Sequence, residues 1–220
     1  MIKAVIFDFD GVILESADIK TEAFKELFSQ HASKLKEIVD YHLLNGGISR
    51  YVKFRYIYEH ILGIDLSKQK EAKLGERFSQ IALEKVICTL FVRGTQEFLE
   101  RNKKRYQFFI CSGTPESELL DIVRARKLGR YFKEVRGSPA VKIDIINAIL
   151  RDYRLAKEEV VYLGDAQSDR IAAEKAGIVY IEREKDATVK PGNSPLVIKD
   201  LSSLDKIMEK IEKSNLTEGN

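Results

Sequence analysis

The chain has 220 residues, 44% hydrophobic and 32% charged, a composition with ample core for one large domain or a core domain with a smaller companion. Its 37 Lys and Arg nearly balance 34 Asp and Glu, and the basic cluster Lys103-Lys104-Arg105 reads as a solvated helix end, so no nucleic-acid partner is expected. No run approaches the roughly 18 apolar residues of a membrane span, no secretory pattern opens the chain, and Cys88 and Cys111 suggest neither a disulfide framework nor a metal site; a cytoplasmic protein is expected.

Residues 2–7 (IKAVIF) read as a buried strand, short and rich in branched and aromatic side chains. From about residue 17 to 89 the pattern is helical. Ile19, Ala23, Phe24, Leu27 and Phe28 share one face; Tyr51, Phe54, Ile57 and Ile61 mark a second; Leu74, Phe78 and Ile81 mark a third. Asn45-Gly46-Gly47 breaks two of these helices apart. Strand runs then recur at 107–111, 159–163, 178–181 and 195–198, with helical patterns at Leu119, Ile122 and Val123 and at Ile145, Ile146 and Ile149. Near-continuous apolar strands alternating with helices predict an α/β fold, a doubly wound parallel sheet covered on both faces. The expected division is a Rossmann-like core of residues 1–16 and 90–220 and an all-α unit of residues 17–89, with Glu15 and Ser16 as hinge positions. From about Ser214 the chain turns polar and aperiodic and is expected to fray. Cys111, inside an apolar run, reads as a small core residue.

Four short stretches carry polar residues where the strands end. Asp8 and Asp10 close the first strand, and alternation puts both on one face if the strand continues that far. A buried carboxylate is costly unless paired or bound to a cation, and oxygen donors suit Mg²⁺. Ser112-Gly113-Thr114-Pro115 follows the second strand, with a hydroxyl and free amides opening a helix. Lys142 starts a helix, where the dipole disfavours a cation unless an anion is near. Asp165 ends the strand VVYL and Asp169 begins the next helix. Singly, each has a plainer reading: strand-end acids in solvent, helix caps, a surface lysine. Together they lie where open α/β sheets bind ligands, and a divalent cation would relieve the repulsion among four acids.

In that order, DFDGV, SGT, Lys142 and GDAQSD, the sequence resembles the haloacid dehalogenase-like superfamily, in particular phosphatases with a helical cap inserted after the first motif. The resemblance implies that Asp8 attacks phosphorus and that Asp10 protonates the leaving alcohol and then activates water. Ser112, Gly113 and Lys142 would bind the phosphoryl group. Mg²⁺ would be held by the Asp8 carboxylate, the Asp10 carbonyl and Asp165, with Asp169 direct or through water. Many relatives place the third-motif lysine directly before proline, whereas Pro139 here precedes Lys142 by three residues, so Lys127 and Lys133 also stand as candidates. An acid at position 10 favours phosphate-ester chemistry over dehalogenation. The expected activity is phosphatase action on a small phosphorylated metabolite, by a monomer or homodimer. The alternatives are a sugar phosphomutase, with Arg50 and Lys53 receiving a second phosphate, and a non-catalytic phosphate-binding or signalling protein. Asn45, Ser49, Arg50 and Lys53 are the expected substrate contacts from the cap.

Overall fold

The computed structural model describes residues 1–184 and 196–217. Strand β1 (Ala4–Phe7) leads into a helical stretch: α1 (Ala17–Leu27), α2 (Leu35–Leu44), α3 (Arg50–Tyr56) and α4 (Lys68–Cys88). After α3 the chain winds on in π-helical turns through Ile57–Leu62, and Gly63 ends them in the left-handed region, with φ 66°. Next come α5 (Thr95–Asn102), β2 (Gln107–Pro115), α6 (Glu116–Ala125), β3 (Phe132–Ser138), α7 (Lys142–Asp152), β4 (Val160–Gly164), α8 (Gln167–Ala176), β5 (Val179–Arg183), β6 (Val197–Ile198) and α9 (Leu204–Thr217).

The strands form one parallel sheet in the order β3-β2-β1-β4-β5-β6, with Ala4 of β1 opposite both Gln107 of β2 and Val160 of β4. Alternation along each strand divides the core in two. Val5, Phe7, Phe108, Ile110, Val161 and Leu163 face a layer from α5, α6 and α9. Ala4, Ile6, Phe109, Cys111 and Tyr162 face Ile145, Ile146 and Ile149 of α7 and Ala172, Ala173 and Ala176 of α8. Helices α1–α4 have an apolar centre of their own, in which Phe24, Phe28, Phe54, Ile57, Tyr58 and Phe78 are buried. None of the described helices is long and apolar enough to cross a membrane.

Three details differ from the sequence reading. Strand β3, unanticipated, is an edge strand whose charged Lys133, Glu134 and Arg136 interrupt any apolar run. The strand expected at 195–198 is reduced to Val197–Ile198, with residue 195 outside the described residues. Fraying from Ser214 is corrected too: α9 continues to Thr217, and Ser214 Oγ donates back to the Lys210 carbonyl at 3.1 Å.

Candidate active site

The carboxyl ends of β1 and β4, neighbours at the sheet's centre, bring the first and last acids together. Asp8 follows β1 directly, its amide donating to the Leu163 carbonyl at 2.9 Å, so it is placed by the sheet ladder itself. Its side chain is buried; Oδ1 lies 3.2 Å from the Lys142 ammonium yet accepts no hydrogen bond. Asp165 follows β4, and carboxylate oxygens of Asp8, Asp165 and Asp169 all lie within 4.8 Å of one another. The turn after Asp10 permits this approach. Gly11 has φ +77°, and a Cβ on it would fall 1.9 Å from Asp165 Oδ2. Burial and the neighbouring acids push the Asp8 carboxyl well above the usual range against the pull of Lys142, and burial with Asp169 raises Asp165 to about 7. Oxygen-only donors, mutual repulsion and an orphaned buried oxygen are what a hard divalent cation would resolve. These residues fit such an ion.

Asp169 contributes differently from a simple ligand. Its Oδ1 accepts from Lys142 Nζ at 2.5 Å and from the Tyr162 hydroxyl at 2.7 Å, and its Oδ2 from the Ala166 amide at 3.1 Å. With both oxygens engaged, it serves first to hold Lys142, the opening residue of α7, against Asp8. Burial would lower the lysine, but Asp169 and Asp8 keep it firmly protonated. The helix-start cation that the dipole disfavours thus has two carboxylates. Lys127 and Lys133, the other candidates, are exposed, at the turn after α6 and on β3. Tyr162 has no sequence signal beyond its strand, being read as one more apolar position.

The Asp10 carboxylate turns to a separate set of partners. It accepts from Ser16 Oγ at 2.6 Å and Thr114 Oγ1 at 2.8 Å and pairs with Lys20. Burial would raise it, but Lys20 and these donors bring it below the usual range. Lys20 was not singled out in the sequence, and Thr114 was read only as part of the second motif, not as a partner of Asp10; a lysine in the first turns of a helix gives no hint of an acid ten residues earlier. The second-motif hydroxyls do not cap α6, which has no side-chain cap. Ser112 Oγ instead accepts from the Thr114 amide at 3.1 Å.

Helices α1–α4 close over these groups. A cavity of about 420 Å³ is lined by Asp8, Asp10, Ser112, Gly113 and Asp165 from below and by Lys20, His42, Gly47, Arg50 and Lys53 from above. Gly47 has φ +71°, and a Cβ there would fall 2.4 Å from Ser168 Oγ and 2.8 Å from Lys142 Nζ; beside it the Gly46 carbonyl accepts from Ser168 Oγ at 2.9 Å. Of the expected cap contacts, Arg50 and Lys53 line this cavity, whereas Asn45 and Ser49 line an adjoining hollow of about 840 Å³. Arg50 is already satisfied, pairing with Glu118 of α6 at 2.5 Å, donating to Ser79 Oγ at 3.1 Å and stacking over Phe78. Between β1 and α1, Glu15 pairs with Arg183 at 2.7 Å, and Arg183 also donates to the Gly11 carbonyl at 2.7 Å.

The sequence profile of a family described as "Haloacid dehalogenase-like hydrolase" matches residues 5–182. A phosphorylated carbohydrates phosphatase from Thermotoga maritima is 25% identical over 186 residues, 81% of this chain and 83% of that protein. A phosphoglycolate phosphatase from Vibrio cholerae is 22% identical, over 80% and 81% of the two chains. In fold, the chain is similar to a solved β-phosphoglucomutase from Clostridium difficile, with a TM-score of 0.76 at 17% identity over 98% of this chain and 100% of that one.

Proposed function

From its membership of the haloacid dehalogenase-like hydrolase family we propose that the chain is a phosphatase that hydrolyses a small phosphorylated metabolite, with Mg²⁺, through a phosphoenzyme formed on Asp8. Residues 17–89 act in this reading as a cap over a core of residues 1–16 and 90–220. The observation that carries it is Asp8 itself: a buried carboxylate with an oxygen free of hydrogen bonds, facing the cavity beside a buried lysine.

The Asp8 carboxylate, the Asp10 carbonyl and Asp165 would hold the metal, with Asp169 reaching it through water because its own oxygens are engaged. Bound there, the cation would shield Asp8 from the phosphate dianion and offset charge on the phosphoryl oxygens. Asp8 attacks phosphorus; the ester P–O bond breaks, and Asp10 gives its proton to the leaving oxygen. Water then attacks the acyl phosphate, Asp10 takes the water's proton, and the bond to Asp8 breaks to release inorganic phosphate. Lys142 and Ser112 receive the phosphoryl oxygens. The Lys20 pair keeps Asp10 ionised, which suits the second half-reaction. For the first, Asp10 must take up a proton as the ester displaces that contact. The phosphomutase alternative is less well supported, since Arg50, one of two candidates for a second phosphate, is neutralised by Glu118.

The test is a screen of phosphate monoesters with Mg²⁺, with Asp8→Asn as the blank and sugar bisphosphate added in one arm. Metal-dependent phosphate release lost in the variant supports the reading. Release that survives in Asp8→Asn overturns it, and isomerisation of a sugar monophosphate without phosphate release would favour the mutase.

A further inference from the structure

Three cationic side chains reach the cavity above Asp8 from the cap, and two have carboxylates: Lys20 has Asp10 and Arg50 has Glu118. Among the described residues, Lys53 has none within ion-pair distance although only 3% of it is exposed. Its ammonium lies 3.2 Å from the His42 carbonyl and 3.3 Å from His42 Nδ1. An ammonium only donates, so Nδ1 accepts and His42 carries its hydrogen on Nε2. That nitrogen donates to Thr21 Oγ1 at 3.3 Å, and Thr21 donates on to the Ala17 carbonyl at 3.2 Å. The imidazole is fixed further against the Phe24 ring, 4.0 Å between centroids. Every link in this chain runs outward from Lys53 and ends on helix backbone. His42 uses two of the three ammonium hydrogens, the Phe24 ring centroid lies 5.6 Å from the ammonium, and no carboxylate among the described residues takes the third.

An unpaired ammonium out of water is costly, and the cost falls when an anion arrives. We infer that Lys53, positioned by His42 and Thr21, sets substrate specificity by binding a carboxylate on the leaving alcohol, so that the preferred substrates are phosphate monoesters of small hydroxy acids. The inference rests on the phosphatase reading and deepens it. One unmatched cation beside a neutral imidazole and a hydroxyl balances one negative charge. A second phosphate would bring nearly two, and the arginine that could match it is spent on Glu118. Burial, helped by Lys20 and Lys142, lowers Lys53 to about 7, as expected of a lysine awaiting its counter-charge.

The experiment compares kcat/KM for 2-phosphoglycolate and 3-phosphoglycerate with that for glycerol 3-phosphate and p-nitrophenyl phosphate, in wild type, Lys53→Met and Lys53→Arg. Wild type should favour the carboxylate-bearing esters, and Lys53→Met should cost them about 10- to 100-fold more than the neutral-alcohol esters, the span of one charge-assisted hydrogen bond. Lys53→Arg, which keeps the charge, should retain much of the preference. Equal losses on both groups of esters would make Lys53 a structural lysine and overturn the inference. So would a wild-type preference for bisphosphates or for uncharged alcohols. Turnover of esters without Lys53-dependent selectivity sinks this inference alone, whereas an enzyme that cleaves no phosphate ester loses the phosphatase reading and this one with it.

Discussion

The role proposed for Asp8 demands a side chain shielded from water and still available, and Asp8 is both, at a cost in charge. Lys142 at 3.2 Å opposes the burial and neighbouring acids that raise its carboxyl, but does not overcome them. An uncharged isostere should therefore be tolerated: Asp8→Asn should lose about 10³-fold or more in turnover while its metal-free melting temperature, read by circular dichroism, stays at or above that of wild type. Lys53 gives a pH signature. Its ordinary value of 10.5 falls to about 7 in the fold, from burial with Lys20 and Lys142 and against Asp10. Between those values the unfolded chain binds the extra proton, so this group makes stability rise with pH from about 7 to 10.5; below 7 both states are protonated and the dependence is flat. Lys53→Met should accordingly be more stable than wild type near pH 7, with the gap narrowing toward pH 10 in urea melts. Asp8, Asp165 and Lys142 could be found by reading, because strand ends and helix starts show in sequence. Lys20 and Tyr162 could not, nor could the contact that Thr114 makes. Their roles come from contacts across the fold, such as Thr114 with Asp10, that no spacing encodes.

At the level of elements, closure depends on the loop between α2 and α3, where two glycines lay bare backbone on the core. Gly47→Ala would strain a left-handed residue by about 1 kcal/mol and drive a methyl toward Ser168 and Lys142. The expected result is a fall in kcat/KM of at least about tenfold with little change in global melting, measured by steady-state kinetics beside calorimetry. A loss of stability as large as the loss of activity would show that the loop serves folding rather than closure. The inner strands β1, β2, β4 and β5 were legible because parallel strands buried on both faces carry apolar runs. Edge position hid β3, whose Lys133, Glu134 and Arg136 interrupt any such run. Past Ser214 no apolar periodicity marks the turn with which α9 reaches Thr217.

For the molecule as a whole, the cation proposed among the crowded acids would link folding to metal binding. Adding Mg²⁺ should raise the melting temperature and a chelator should reverse it, by about 2.7 kcal/mol at a hundredfold excess over Kd; Asp165→Asn should blunt the response. A flat melting temperature across the titration would argue against a cation among Asp8, Asp165 and Asp169. The parallel sheet has a temporal consequence. Its central strand is synthesised first, yet its partners begin at Gln107 and Val160. As the nascent chain leaves the ribosome, β1 has nothing to pair with, whereas α1–α4 already possess a centre of their own. Birth order therefore favours the lid before the vessel. The candidate site is completed only when β4 docks beside β1, and until then the apolar leading strand has no partner on that side.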